Sequence, residues 1–159
     1  MGLLDTGADF PALKIGTVGG GTLDVRGHLA GGFGVVLFYR GSWCPYCTAQ
    51  LRTFQRAHDR FEQAGIKVVA LSVDDEPTTK DLVEKHKLTF PVGYSADARE
   101  IAEATGAFVH DDPVYLQSTG FVLAPDGKVI TSVYSSGAIG RLVPEDVLGL
   151  VAHLKERMS

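Results

Sequence analysis

The sequence predicts an α/β fold, a mixed central β-sheet with helices on both faces. Three observations point to it. Residues 34–39 (GVVLFY) form a continuous β-branched and aromatic run without polar alternation, the pattern of a strand buried on both sides. Residues 67–73 (KVVALSV) repeat that pattern after an intervening helical period, and buried strands separated by helices imply parallel central pairs. Residues 119–123 and 128–134 flank the tight turn Pro125-Asp126-Gly127, which adds antiparallel strands.

The elements follow in order. Gly19 to Gly21 with Thr22 read as the tip of an N-terminal hairpin, with a short strand over 22–25 and a turn at Gly31 and Gly32. Arg40-Gly41-Ser42 ends the first buried strand. From Cys44 to Ala64 the period changes to helical: Cys47, Leu51, Phe54 and Phe61 share a stripe, with His58 filling it, and Gly65 closes the helix. Asp74-Asp75-Glu76-Pro77 opens the next helix, because acids suit the positive helix start and Pro suits a position whose N–H would be unbonded. That helix is predicted to run to about His86, and residues 90–93 to be extended. A third helix covers 97–105, closed by Gly106, and the last covers 144–158.

Length and composition narrow the function. The 159 residues suit one domain, 1–159, that buries enough surface to need no disulfide or metal. The net charge is −4 and the basic residues are scattered, so no stripe suits a nucleic-acid backbone. The start carries no basic segment followed by an apolar core, and no apolar run is long enough to span a bilayer. A cytoplasmic protein without membrane or nucleic-acid partners is expected. The two cysteines lie three residues apart, which in such a chain points to redox or metal chemistry. No metal is expected. Structural zinc takes four ligands, no second Cys pair exists, and the five histidines are widely spaced.

Cys44-Pro45-Tyr46-Cys47 begins a helix directly after a buried strand, and that placement carries chemistry. N–H groups at a helix start lack intrahelical partners, and the helix dipole adds positive charge, so a thiolate is stabilised there. Pro45 fits an early helical position. The i, i+3 spacing places both sulfurs on one face, within the roughly 4.4–6.8 Å Cα separation that a disulfide requires.

At these residues the chain resembles the thioredoxin superfamily, and more closely its peroxiredoxin-like branch, the alkyl hydroperoxide reductase/thiol-specific antioxidant family. Asp9-Phe10-Pro11, residues 35–47 (VVLFYRGSWCPYC), and Phe121-Val122-Leu123 followed by Pro125-Asp126-Gly127 carry the resemblance. It implies a thioredoxin fold with an N-terminal hairpin extension. It departs from the peroxiredoxin pattern at several positions. Counting from Tyr39, Arg40 stands at the family's Pro, Cys44 at its Thr and Cys47 at its peroxidatic Cys. The family's later Arg falls near Ser118, with Gln117 beside it. Arg40 is either a substitute for that charge or an ordinary surface arginine. Set against thioredoxins, Leu37 replaces an acid, Pro45-Tyr46 replaces Gly-Pro, and Ser118-Thr119 stands where a cis-Pro is usual. Trp43 is shared with thioredoxins and would shield the site from water. The Cys-Pro-Tyr-Cys motif also occurs in the shorter glutaredoxins.

The resemblance implies a thiol-dependent oxidoreductase, either a peroxidase or a disulfide reductase, that needs no cofactor. Cys44 and Cys47 are its expected catalytic residues, supported by Arg40, Trp43, Pro45, Tyr46, Ser118 and Thr119. Cys44 would attack a disulfide, being nearer the helix start and more exposed; Cys47 would attack a peroxide. The other cysteine would resolve the product as a Cys44–Cys47 disulfide. The expected partners are a peroxide or disulfide substrate and an external reductant, thioredoxin-like or a low-molecular-weight thiol, with a homodimer as one option. A non-catalytic redox-sensing or partner-binding domain is the alternative.

Overall fold

A computed structural model describes residues 2–158; the outer limits of the expected domain, residues 1 and 159, lie outside the described residues. The chain runs β1 (Lys14–Thr17), β2 (Gly21–Asp24), α1 (Val25–Leu29), β3 (Phe33–Phe38), α2 (Pro45–Arg56), α3 (His58–Ala64) and β4 (Ile66–Leu71). It continues through α4 (Glu76–His86), β5 (Val92–Tyr94), α5 (Ala98–Thr105), β6 (Val109–Asp111), β7 (Val114–Leu116), β8 (Thr119–Leu123), β9 (Val129–Tyr134) and α6 (Pro144–Met158). Seven strands form one sheet in the order β2-β1-β5-β4-β3-β8-β9, and β6 and β7 form a separate hairpin.

At the centre, β3 pairs in parallel with β4, Val35 opposite Val68, and antiparallel with β8, Val35 opposite Val122. All six β3 residues are buried. Successive side chains of a strand point to opposite faces, so β3 feeds two cores. Val35 and Leu37 pack with Cys47, Leu51 and Phe54 of α2, Phe61 of α3, Leu82 of α4, and Val147 and Val151 of α6. Val36 and Phe38 pack with Phe10, Val25, Leu29, Ile101, Leu116 and Phe121 on the other side. The mixed sheet with helices on both faces is therefore present. β9 is antiparallel to β8, which is antiparallel to β3, so the chain leaves β9 at the same end of the sheet where β3 delivers the cysteines.

The structure corrects several element expectations. The helix read over 44–64 is two. Ala57 leaves the helix at φ −88°, ψ 3°, and its N–H bonds the Thr53 and Phe54 carbonyls, a tightened last turn. The break lets Phe54 and Phe61 meet edge to face at 5.6 Å. It also swings His58 out of the buried stripe, where its ring bonds Glu62 at 3.1 Å and stays 43% exposed. The strand read over 22–25 begins at Gly21 and stops at Asp24, because fully buried Val25 opens α1. α1 and the β6–β7 hairpin, five- and three-residue elements, lack the length over which periodicity becomes legible. The caps hold: Asp75 accepts from the Thr78 N–H, Asp97 from the Glu100 N–H, and Gly65 ends α3 at φ 74°, where a Cβ is disfavoured.

Candidate active site

β3 ends against the last β4 carbonyl, the Tyr39 N–H bonding Leu71, and the chain then turns through Arg40, Gly41 and Ser42. Asp74, just beyond β4, ties this turn down by accepting the Ser42 N–H at 2.7 Å. Cys44 is the residue capping α2, with extended φ −91° and ψ 113°, and Pro45 holds the first helical position. The Cys44 carbonyl accepts the Cys47 and Thr48 N–H groups, each at 3.1 Å, which starts the helix. Both cysteines are free thiols, and both are buried, Cys44 at 1% exposure and Cys47 at 0%. The expected order, Cys44 more exposed than Cys47, separates the two by only 1% against 0%. Trp43 and Tyr46, neighbours of Cys44 in the chain, are exposed, at 55% and 56%.

Two guanidinium groups close on the sulfurs. Arg141 places Nη2 3.0 Å from Cys47 Sγ and 3.8 Å from Cys44 Sγ. Arg40 places Nη1 3.8 Å from Cys44 Sγ, while its backbone N–H donates to Cys47 Sγ at 3.3 Å. Neutral groups hold both side chains. Arg40 donates from Nε to Gln117 Oε1 at 3.0 Å and from Nη2 to the Tyr115 hydroxyl at 2.9 Å. Arg141 donates from Nη1 to Gln50 Oε1 at 2.8 Å and from Nε to the Ala138 carbonyl at 2.9 Å. Gln50 in turn donates to the Leu142 carbonyl at 3.0 Å, so it fixes both ends of the arginine.

Arg40 packs against two aromatic rings, Trp43 and Tyr115, that themselves meet edge to face with their centres 5.0 Å apart. Its guanidinium carbon lies 5.0 Å from the Trp43 ring centre and 5.1 Å from that of Tyr115, within cation–π range. His110 stacks on the far face of Tyr115 at 4.5 Å. Gly41 makes room for this arrangement, since a Cβ there would lie 2.2 Å from Trp43 Nε1.

The electrostatics separate the two thiols. Burial works against a Cys44 thiolate, but the Cys47 thiol and N–H, the Arg40 guanidinium and the Arg141 charge outweigh it, leaving Cys44 below the ordinary thiol value. Burial, then the proton shared with Cys44, pushes Cys47 up, against the Arg40 N–H and Arg141. The two thiols are thus pushed in opposite directions, Cys44 below and Cys47 above the ordinary thiol value, which makes Cys44 the readier of the two to ionise.

Of the expected supporting residues, Arg40 reaches Cys44 Sγ and Trp43 packs on Arg40, while Pro45 and Tyr46 lie in the first turn of α2 between the two cysteines. Ser118 and Thr119 are buried at the start of β8, but their recorded hydrogen bonds stay local: the Ser118 carbonyl accepts the Ser135 N–H, and the Thr119 hydroxyl donates to the Gln117 carbonyl. Gln117, one residue earlier, is the side chain that reaches Arg40. Ser118 stands where the family's later Arg falls, and Arg40, the substitute the sequence offers, reaches Cys44 Sγ; a second charge comes from Arg141, which sequence reasoning missed together with Gln50 and Tyr115. Topology held the signal for Arg141: it follows β9, which runs parallel to β3, so it returns to the cysteine end. Among the described residues no group of three or more His, Cys, Asp and Glu could hold a metal, and no helix is long and apolar enough to cross a membrane.

This fold with a dithiol at a helix start defines the class, a thioredoxin-fold thiol oxidoreductase. The profile of the AhpC/TSA family matches residues 6–132. A peroxiredoxin of Chlorobaculum tepidum is 31% identical over 145 residues, 87% of this chain and 67% of the relative. A peroxiredoxin of Treponema denticola is 30% identical over 152 residues, 92% and 72% of the two chains. A solved peroxiredoxin 6 mutant of Arenicola marina superposes with a TM-score of 0.82 at 22% identity, covering 94% of this chain and 73% of its own. The chain belongs to the AhpC/TSA family of peroxiredoxin-like, thiol-dependent peroxidases.

Proposed function

We propose that the chain reduces small hydroperoxides through a Cys44–Cys47 disulfide. The observation that carries this is the burial of both sulfurs beside two guanidinium groups. Thiol–disulfide exchange needs the attacking thiolate to reach a disulfide sulfur, which a peptide disulfide does not offer to a sulfur at 1% exposure. Hydrogen peroxide is little larger than water and can enter. The arginines then supply what its cleavage needs, donors aimed at the oxygen on which negative charge grows.

In the proposed cycle the Cys44 thiolate attacks one peroxide oxygen. An S–O bond forms, the O–O bond breaks, and the departing oxygen takes a proton to leave as water or an alcohol. The Cys44 sulfenic acid then condenses with the Cys47 thiol, forming the S–S bond and releasing water. An external thiol restores the pair. Cys47 matches the family's peroxidatic position and accepts two N–H donors, so the alternative order, with Cys47 attacking, has its own support.

Single-turnover oxidation of the serine variants separates the two. Cys44→Ser should abolish rapid peroxide consumption, while Cys47→Ser should still consume one equivalent and accumulate a sulfenic acid trappable by a dimedone-type reagent. The reverse pattern assigns the attack to Cys47. Rapid reaction of the wild type with a peptide disulfide and none with hydrogen peroxide would overturn the peroxidase reading.

A further inference from the structure

Arg40 and Arg141 both lie 3.8 Å from Cys44 Sγ, and the partners that hold them are the neutral Gln117, Tyr115, Gln50 and Ala138 carbonyl. Neither guanidinium spends its charge on those partners. Ionisation of Cys44 in the reduced state would offset part of it. Formation of the disulfide removes that option and leaves both guanidinium groups beside neutral sulfur, with only neutral groups among their other hydrogen-bond partners. Both arginines are half-buried, so part of each side chain meets solvent.

We infer that the oxidised site is an anion site, and that it selects a small carboxylate-bearing thiol as its reductant over a neutral thiol or a protein dithiol. This rests on the proposed disulfide cycle. The burial that admits a peroxide also favours a narrow reductant, because Cys44 is only 1% exposed. Charge then discriminates among narrow thiols. The carboxylate docks between the two guanidinium groups, whose forked donors suit it, and brings the thiol over Cys44.

The chemistry balances with two thiols per disulfide. The first thiolate attacks Cys44 Sγ, forming a mixed disulfide and breaking the Cys44–Cys47 bond, and Cys47 leaves with the electron pair and takes a proton. The second thiolate attacks the outer sulfur of the mixed disulfide, releasing the reductant as its own disulfide and Cys44 as a thiolate. Two thiols are oxidised, the protein disulfide gains two electrons, and the second proton goes to solvent.

The test oxidises the protein with one equivalent of hydrogen peroxide and first verifies the intramolecular disulfide by mass. It then follows reduction by 3-mercaptopropionate, 2-mercaptoethanol and cysteamine, which are anionic, neutral and cationic thiols of similar size. Rates are expressed per thiolate present. The anionic thiol should exceed the cationic one by about tenfold or more, the scale at which a cleft of one charge sign steers a small ion. The ratio should fall towards one in high salt, and also in Arg40→Met and Arg141→Met. The ratio is internal to each protein, so a variant with lower absolute rates remains informative, and the salt series needs no variant. Equal rates, a cationic preference, or faster reduction by a thioredoxin-type protein dithiol at equal thiol concentration overturns the inference. Failure to form the disulfide in the first step would count against the proposed cycle instead, so the two failures are distinguishable.

Discussion

Replacing Arg141 by methionine keeps most of the side-chain bulk and removes the guanidinium that lies 3.0 Å from Cys47 Sγ and 3.8 Å from Cys44 Sγ. Three effects follow from those contacts. The Cys44 thiolate loses one of the charges that favour it, Cys47 loses a donor, and the transition state loses a donor to the developing oxyanion. A preorganised donor of this kind is worth on the order of 3 kcal/mol. At about 1.4 kcal/mol per power of ten, that is roughly a hundredfold in rate. Arg141 is half-buried rather than sealed, so solvent screens part of the effect, and a loss of about thirtyfold to a hundredfold is expected. Stopped-flow peroxide oxidation of the reduced protein measures it. Arg40→Met and the double variant complete a cycle. Both arginines approach Cys44 Sγ at 3.8 Å, so their effects should couple rather than add. An Arg141→Met protein that reacts within twofold of wild type would refute the reasoning, because the contact would then be packing without catalytic consequence.

Three further outcomes follow. In Cys47→Ser, which keeps an O–H donor, thiolate absorbance of the remaining Cys44 should titrate below the unfolded value of about 8.5; titration at or above it contradicts the assignment of the charge to Cys44. The sign of the linkage is set by that depression: the stabilisation from the Cys44 thiolate is complete above about pH 8.5 and disappears as pH falls through the folded pKa, so denaturant midpoints of that variant should drop over this window. Phe54→Ala, which empties a fully buried site packed edge to face on Phe61, should cost about 3–5 kcal/mol in chemical unfolding, and a loss under 1 kcal/mol would show that the α2–α3 junction collapses onto the space.

The central sheet and the cysteine junction were legible because their signals are local. Residues 34–39 read as a buried strand from six adjacent side chains, and Cys44 to Cys47 announce a helix start within four residues. The glycines that close α3 and α5 were legible for the same reason. What failed was either too short or too distant. The β6–β7 hairpin offers three residues a side, yet it delivers Tyr115 to Arg40. Arg141 lies 94 positions from Cys47, and nothing in its own neighbourhood distinguishes it from a surface arginine. Arg40 was visible as a candidate but undecided, because its two alternatives differ only in what faces it across space. The break at Ala57 was hidden by a helical period that continues through it on both sides.

The position of Arg141 in the chain also sets an order of events. Synthesis proceeds from the N-terminus, so Cys44 and Cys47 emerge long before the segment that follows β9. Until that segment exists and docks beside α2, neither cysteine has the Arg141 donor, and the Gln50 side chain has no guanidinium to hold. The nascent thiols thus have weaker activation than those of the finished protein. The Arg141 contact with the thiols therefore arrives only once the segment after β9 has been made and has docked.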